Sequence, residues 1–208
     1  MDFQRPLSVV TTSLDGDVLA VLAGAEEEFT GRRIHRLVGH SSEHGVRKAA
    51  DRLVDQGVVL RRQAGQAKLY GLNRDHVAAP YIEGLASLRE ELTRRLRESV
   101  TSWRSPAHTV FLFGSVARGE AEAESDLDLL VVRPRGTDED DPAWREQLAD
   151  LERDATAWTG NEARIVEYGA GDSVDPAVRL LVEQVFREGI PVFGSPSLIK
   201  AMLEKGAK

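Results

Sequence analysis

The chain has 208 residues, a formal net charge of −7 and no cysteine, which gives room for one large or two small cores and excludes disulfides and cysteine–zinc sites. The absence of cysteine fits a reducing cytoplasm, where we expect the protein to reside. The opening MDFQRPLSVVTTSLDGD has no basic-then-apolar leader pattern, and no apolar run approaches the ~20 residues of a bilayer span, so no membrane association is expected.

Leu14 to Ala23 reads as a short first helix, followed by an acidic run at Glu26–Glu28 that is a solvated loop or helix end. Thr30 is placed to cap a second helix over Gly31–Val38, with Ile34, Leu37 and Val38 on one face. After a Gly39-His40 turn, Ser41 or Ser42 caps a third helix that runs to Gln56 and stops at Gly57. Its apolar positions Val46, Ala49, Ala50, Leu53 and Val54 leave His44, Arg47, Lys48 and Asp51 or Arg52 on the outer face. Val58–Arg62 and Lys68–Leu72 then alternate as strands, and Gln63–Gln66 joins them as a hairpin.

Charge is uneven along the chain. Thr30 to Arg74 carries +7 and the remainder −14, which points to one part that meets a polyanion. Three helices followed by a basic hairpin resemble a winged helix-turn-helix, and SSEHGVRKAADRLVDQGVVLRRQ resembles its recognition helix and first wing strand. The resemblance implies binding of double-stranded DNA. Ser42, Glu43, His44, Arg47 and Lys48 would enter the major groove, and Arg61, Arg62, Gln66 and Lys68 would contact backbone or minor groove. It also implies a homodimer, since two-fold symmetry is usual for such DNA readers. A protein-binding or packing role for the same module stays open, with the basic balance arguing for DNA.

Asn73–Pro80 is the expected domain boundary, separating a DNA-binding domain over 1–75 from a second domain over 81–208. Tyr81 to Trp103 reads as one long amphipathic connecting helix, with Ile82, Leu85, Leu88, Leu92 and Leu96 as its buried stripe. The stretch VFLFGSVARGEAEAESDLDLLVV, Val110 to Val132, follows. An apolar strand runs into a Gly114-Ser115 turn, whose backbone N–H groups suit phosphate oxygens. Asp126 and Asp128 alternate on a second strand, so period-two geometry puts both carboxylates on one face while Leu127 and Leu129 face the core. Two oxygen-ligand carboxylates beside a phosphate cradle suit magnesium or manganese with a triphosphate. Beyond a polar loop, 134–142, the pattern predicts a helix over 143–158, a strand over 163–168, a helix over 176–188, a strand over 190–193 and a terminal helix over 195–205.

This motif resembles the signature of the DNA polymerase β-type nucleotidyltransferase superfamily, in its minimal, antitoxin-like branch: apolar strand, Gly-Ser, Ala117-Arg118-Gly119-Glu120, then Ser125-Asp126-Leu127-Asp128-Leu129. The implied architecture is a two-domain α+β protein whose C-terminal α/β domain holds a small mixed sheet. Asp126 and Asp128 would be the catalytic, metal-holding residues. Gly114, Ser115, Arg118, Ser125 and Arg164 would face the nucleotide, ATP first among candidates, with Arg118 either neutralising phosphate charge or bracing the turn. The superfamily's third carboxylate falls on the next strand, where this chain has Arg164. Glu162 shares that strand face about 7 Å away and is the nearest stand-in, whereas Glu167 points the other way.

Two functions follow from the resemblance. In one, a nucleotide passes from a nucleoside triphosphate to a hydroxyl acceptor, a partner toxin among the implied acceptors, in a protein that also regulates its own operon. In the other, the transferase domain has degenerated and senses nucleotide or dimerises within a transcriptional regulator.

Overall fold

The structure is a computed structural model that describes residues 1–170, 176–195 and 197; the expected terminal helix over 195–205 lies outside them apart from Ser195 and Ser197. The chain divides into two compact units, Gln4–Leu88 and Arg89–Lys208, with Asp2 joining the first and Met1 and Phe3 the second. Among the described residues no helix is long and apolar enough to cross a membrane.

In the N-terminal unit a 3₁₀ turn, Pro6–Val9, precedes α1 (Leu14–Ala23), β1 (Phe29–Thr30), α2 (Gly31–Val38), α3 (Glu43–Asp55), β2 (Val59–Ala64), β3 (Ala67–Leu72) and α4 (Ala79–Ala86). The caps are those the sequence calls for. Thr30 accepts from the Arg33 amide at 3.2 Å, and Ser42 accepts from the Gly45 amide at 3.0 Å. β2 and β3 form the hairpin in regular antiparallel register from Val59 opposite Leu72 to Ala64 opposite Ala67. β1 adds a third strand on β3, so the sheet order is β1-β3-β2. The acidic loop before β1 is therefore anchored at its end, which the loop reading of Glu26–Glu28 did not include. Val18, Leu22, Ile34, Val46, Ala49, Ala50, Leu53 and Tyr70 form the buried core.

The expected connecting helix over 81–103 is two helices, α4 and α5 (Leu88–Thr101), divided at Ser87. Ser87 leaves the helical conformation at φ −103° and ψ 25°, and its hydroxyl donates to the Glu83 carbonyl oxygen at 2.9 Å. The apolar stripe serves two different cores. Ala79 and Ile82 belong to the N-terminal core, whereas Leu92, Leu96 and Val100 belong to the C-terminal one. The boundary therefore falls about ten residues later than Asn73–Pro80.

The C-terminal unit continues with β4 (Thr109–Phe113), α6 (Gly114–Arg118), β5 (Leu127–Arg133), α7 (Pro142–Thr159), β6 (Ala163–Gly169), α8 (Pro176–Glu188) and β7 (Ile190–Phe193). Its four strands are ordered β6-β5-β4-β7, with β5 and β6 parallel and the other neighbours antiparallel, a small mixed sheet as expected. Alternation in β5 sorts its residues between two cores. Leu127, Leu129 and Val131 pack with α5 and α7 residues such as Leu96 and Trp144. Leu130 and Val132 pack with Phe111, Phe113 and, from α8, Val182 and Val185. The outer edge of β6 is closed by α7 side chains: Thr156 accepts from the Ala163 amide and Glu152 from the Ile165 amide, both at 3.0 Å. Those contacts remove an open strand edge that would otherwise invite pairing.

Candidate functional site

β4 ends at Phe113, which pairs with Asp128 of β5. The chain then turns through Gly114, whose φ of 71° lies in the left-handed region that glycine adopts at low cost. A Cβ at Gly114 would sit 2.3 Å from Asp128 Oδ2. The backbone of the Gly-Ser segment and the Asp128 carboxylate are thus neighbours in space. The expected turn at Gly114-Ser115 is the opening of the short helix α6, which ends at Gly119, again left-handed at φ 71°.

Asp128 is half-buried on the face of β5 that it shares by alternation with Leu130 and Val132, which pack with α8, while Asp126, also half-buried, stands one residue before the strand rather than on it as expected. Burial pushes the Asp128 carboxyl above the ordinary aspartate range; the charge of Asp126 adds to that push, and Arg164 and Arg118 oppose it. By donor chemistry the pair fits one hard divalent ion.

Register fixes what stands beside them. β6 runs parallel to β5 with Arg164 opposite Asp128. Arg164 therefore lies on the same face, one strand over, where a third carboxylate would complete the set. Its Nη1 pairs with Asp126 Oδ2 at 2.6 Å and its Nη2 with Glu162 Oε2 at 3.3 Å. Glu162, the nearest stand-in, is thus held by the arginine, and its side chain is 70% exposed. Among the described residues no group of three His, Cys, Asp or Glu side chains is gathered as a metal site. Glu167 lies on the opposite face, where it accepts from Trp144 Nε1 at 2.8 Å and pairs with Arg133 and Arg145, each at 3.0 Å. That half-buried network fastens α7 to the sheet.

The remaining residues expected at the nucleotide have local partners. Arg118 Nε donates to Glu120 at 2.7 Å, with Glu188 of α8 at 3.6 Å. Ser125 Oγ accepts from the Glu122 amide at 2.9 Å and so shapes the loop before β5. A residue that the motif does not signal holds the same loop. Asn161 is buried and its Nδ2 donates to the carbonyl oxygens of Ser125 at 2.7 Å and Ala123 at 3.2 Å. From sequence it reads only as a polar residue after the Gly160 helix stop.

In the N-terminal unit, Ser42 is exposed at the N-terminus of α3, His44, Arg47 and Lys48 are exposed on it, and Arg61, Arg62 and Lys68 on the hairpin. Ser42 is engaged as a cap. Arg47 pairs with Glu43 at 2.7 Å, Arg61 with Asp51 at 3.1 Å and Arg62 with Glu28 at 2.5 Å. Arg52 pairs with Asp15, and Tyr70 donates its hydroxyl to Asp51 at 3.1 Å. The basic block over Thr30–Arg74 is therefore not a bare positive surface. The whole unit from Gln4 to Leu88 holds eleven basic and ten acidic residues. Lys48 and Lys68 carry no ion pair among the described residues. A cavity of about 430 Å³ between α3 and the hairpin is lined by Thr30, Arg32, Glu43, Arg47, Gln66 and Lys68.

A family model described as a nucleotidyltransferase domain matches residues 93–204. That is more than half of the chain, and the protein belongs to this family. The match covers the unit that carries Gly114, Asp126 and Asp128. No curated protein matches the chain. Solved structures that resemble it include a mutant of the toxin–antitoxin MntA–HpeT, at 15% identity and a TM-score of 0.41, over 55% of this chain and 83% of that one. A toxin–antitoxin with AMP-PNP follows at 18% identity and a TM-score of 0.39, over 57% and 83% of the two chains. The toxin–antitoxin MntA–HepT stands at 16% identity and a TM-score of 0.38, with the same coverage of 57% and 83%.

Proposed function

We propose that the C-terminal unit binds a nucleoside triphosphate, ATP foremost, and transfers its nucleotidyl group to a hydroxyl, while the N-terminal unit is a winged helix-turn-helix that binds double-stranded DNA. The observation that carries the transfer reading is the Asp126–Asp128 pair set against the Gly114 backbone, in a chain of the nucleotidyltransferase family. The acceptor oxygen attacks the α-phosphorus, the bond to the pyrophosphate oxygen breaks, and the hydroxyl proton passes to solvent. Asp126 and Asp128 would hold magnesium or manganese, which when bound supplies neutralisation of phosphate charge. The backbone N–H groups of Gly114 and Ser115 offer donors to phosphate oxygens, and the forked guanidinium of Arg164 offers more.

The helix and strand order of the N-terminal unit, with α3 exposed beside a basic hairpin, supports the DNA reading. The acceptor in this reading is a hydroxyl of a partner toxin, as the antitoxin-like resemblance implies, and a homodimer of the chain reads the operator of its own operon. Labelled ATP, magnesium and a panel of acceptors (partner protein, nucleic-acid end, small hydroxyl compound) test the transfer. We expect label on one acceptor with the native chain and at least a thousandfold less with Asp126→Ala plus Asp128→Ala, the order of loss when charge-holding groups of a transfer site are removed. Equal labelling by the two proteins overturns it.

The ion pair between Arg164 and Asp126 favours a second reading, in which the unit holds nucleotide without turnover and alters DNA affinity. Operator affinity that shifts with nucleotide, together with no labelling of any acceptor, selects that reading.

A further inference from the structure

We infer that the site takes a single divalent cation with its nucleotide and that Arg164 supplies the second positive charge at Asp126. This rests on the nucleotide-binding reading above and concerns how its charge is balanced.

Sites that hold two cations place them about 3.5–4 Å apart between shared carboxylates. Here the strand register puts Arg164 opposite Asp128, where a third shared carboxylate would stand. A guanidinium has five donors and no acceptor, so it contributes no ligand and repels a cation brought beside it. It also satisfies the carboxylates that a second ion would use. Nη1 lies 2.6 Å from Asp126 and Nη2 lies 3.3 Å from Glu162. Glu167 offers no alternative, because it is turned to the other sheet face and fastened by Trp144, Arg133 and Arg145. Asp128 stands beside the Gly114 backbone and has no ion pair among the described residues. Asp128 and Asp126 would hold one divalent ion, which together with Arg164 at Asp126 would balance the charge of both acids. The Arg164 side chain is 56% exposed, so its remaining N–H groups are open to a phosphate oxygen.

The test is a manganese titration of the full chain at saturating non-hydrolysable ATP analogue, read by electron paramagnetic resonance as ions bound per protein. We expect one for the native chain, one for Arg164→Gln and two for Arg164→Asp, which rebuilds the third carboxylate. Nucleotide affinity of Arg164→Gln should fall about tenfold, the loss of one charge-assisted contact. Two ions in the native chain, or an unchanged single ion in a folded Arg164→Asp, overturn the inference while leaving nucleotide binding intact. If a fluorescent ATP analogue fails to bind the native chain at all, the nucleotide reading itself falls and this inference with it. Arg164→Gln keeps the test informative should the aspartate variant fail to fold.

Discussion

The two units both pair charges across their surfaces, and they differ at one place, the aspartate pair of the C-terminal unit. In the N-terminal unit acids from distant segments meet the basic block: Glu28 reaches Arg62, Asp15 reaches Arg52, and Asp51 bridges Arg61 and the Tyr70 hydroxyl. In the C-terminal unit, Asp126 and Asp128 stand together, and Arg164 pairs with Asp126 at 2.6 Å. Exposed ion pairs are each worth about 0–1 kcal/mol, so those in the N-terminal unit contribute little stability and release their arginines readily to a stronger anion. A half-buried pair of like charges is costly instead, and a fold that keeps one uses it for something that arrives. Charge matched across a surface says little about a ligand, whereas charge left unmatched in a fold that could have matched it says a good deal.

The largest expected effect breaks the crowded side of this contrast. Gly114→Ala adds a methyl 2.3 Å from Asp128 Oδ2, at a backbone φ of 71°. The left-handed conformation alone costs about 1–2 kcal/mol for a residue with a side chain. The clash must displace either the carboxylate or the Gly-Ser segment, and a ~1 Å misplacement at a reacting site costs about a hundredfold. Gly136→Ala is the control, since its φ is 85° and a Cβ there meets nothing within 4 Å. Gly136→Ala should lose the conformational part of the stability and Gly114→Ala at least as much, while only Gly114→Ala loses nucleotide binding or labelling. Equal function in the two would show that Asp128 and Gly114 do not share a ligand.

A middle-sized effect sharpens the other side. Lys48 and Lys68 are exposed and carry no ion pair among the described residues, whereas Arg62 is held by Glu28. Lys48→Ala plus Lys68→Ala should weaken binding to a mixed-sequence duplex and flatten the slope of log affinity on log salt by about 1.8, two phosphate contacts at ~0.9 each. Glu28→Gln should act in the opposite direction, freeing Arg62 and tightening binding a few-fold, on the order of 1 kcal/mol. Fluorescence anisotropy across a salt series measures both. An unchanged slope in the lysine variant would remove the DNA face from α3 and the hairpin.

What could be read in advance, and what could not, follows the same division between local and distant. The Asp126–Asp128 alternation and the Gly114 bend depend on neighbours within the motif, and period-two geometry is enough to bring the carboxylates to one face. The caps at Thr30 and Ser42 are equally local. Arg164 is placed beside the aspartates in the sequence only through the resemblance, and the parallel register sets it opposite Asp128. The break at Ser87 was missed because an unbroken apolar stripe does not reveal that its two halves enter different cores. The role of Asn161 was missed because its partners are carbonyl oxygens of a loop more than thirty residues away. The +7 block overstated the basic surface for the same reason: a window along the chain counts charges, and folding brought Glu28 and Asp15 from outside the window to meet them.

The smallest expected effect concerns Asp128 in the absence of ligand. Burial and the neighbouring charge of Asp126 raise its folded-state pKa above the ordinary aspartate value. The native state therefore holds this proton to higher pH than the unfolded chain does. Between the two pKa values the native state binds more protons, so this group's contribution to stability falls as pH rises through that window and stays unfavourable above it. Asp128→Asn removes the penalty. The variant should melt slightly higher than the native chain at neutral pH, and the difference should vanish as pH drops below the carboxylate range, in thermal scans without metal or nucleotide. Adding divalent cation with nucleotide should reverse the order, because the native carboxylate then gains a partner that the amide cannot hold. A variant that melts lower than the native chain at neutral pH without ligand would mean that Asp128 is already neutralised inside the fold, and the contrast between matched and unmatched charge would fail where it matters most.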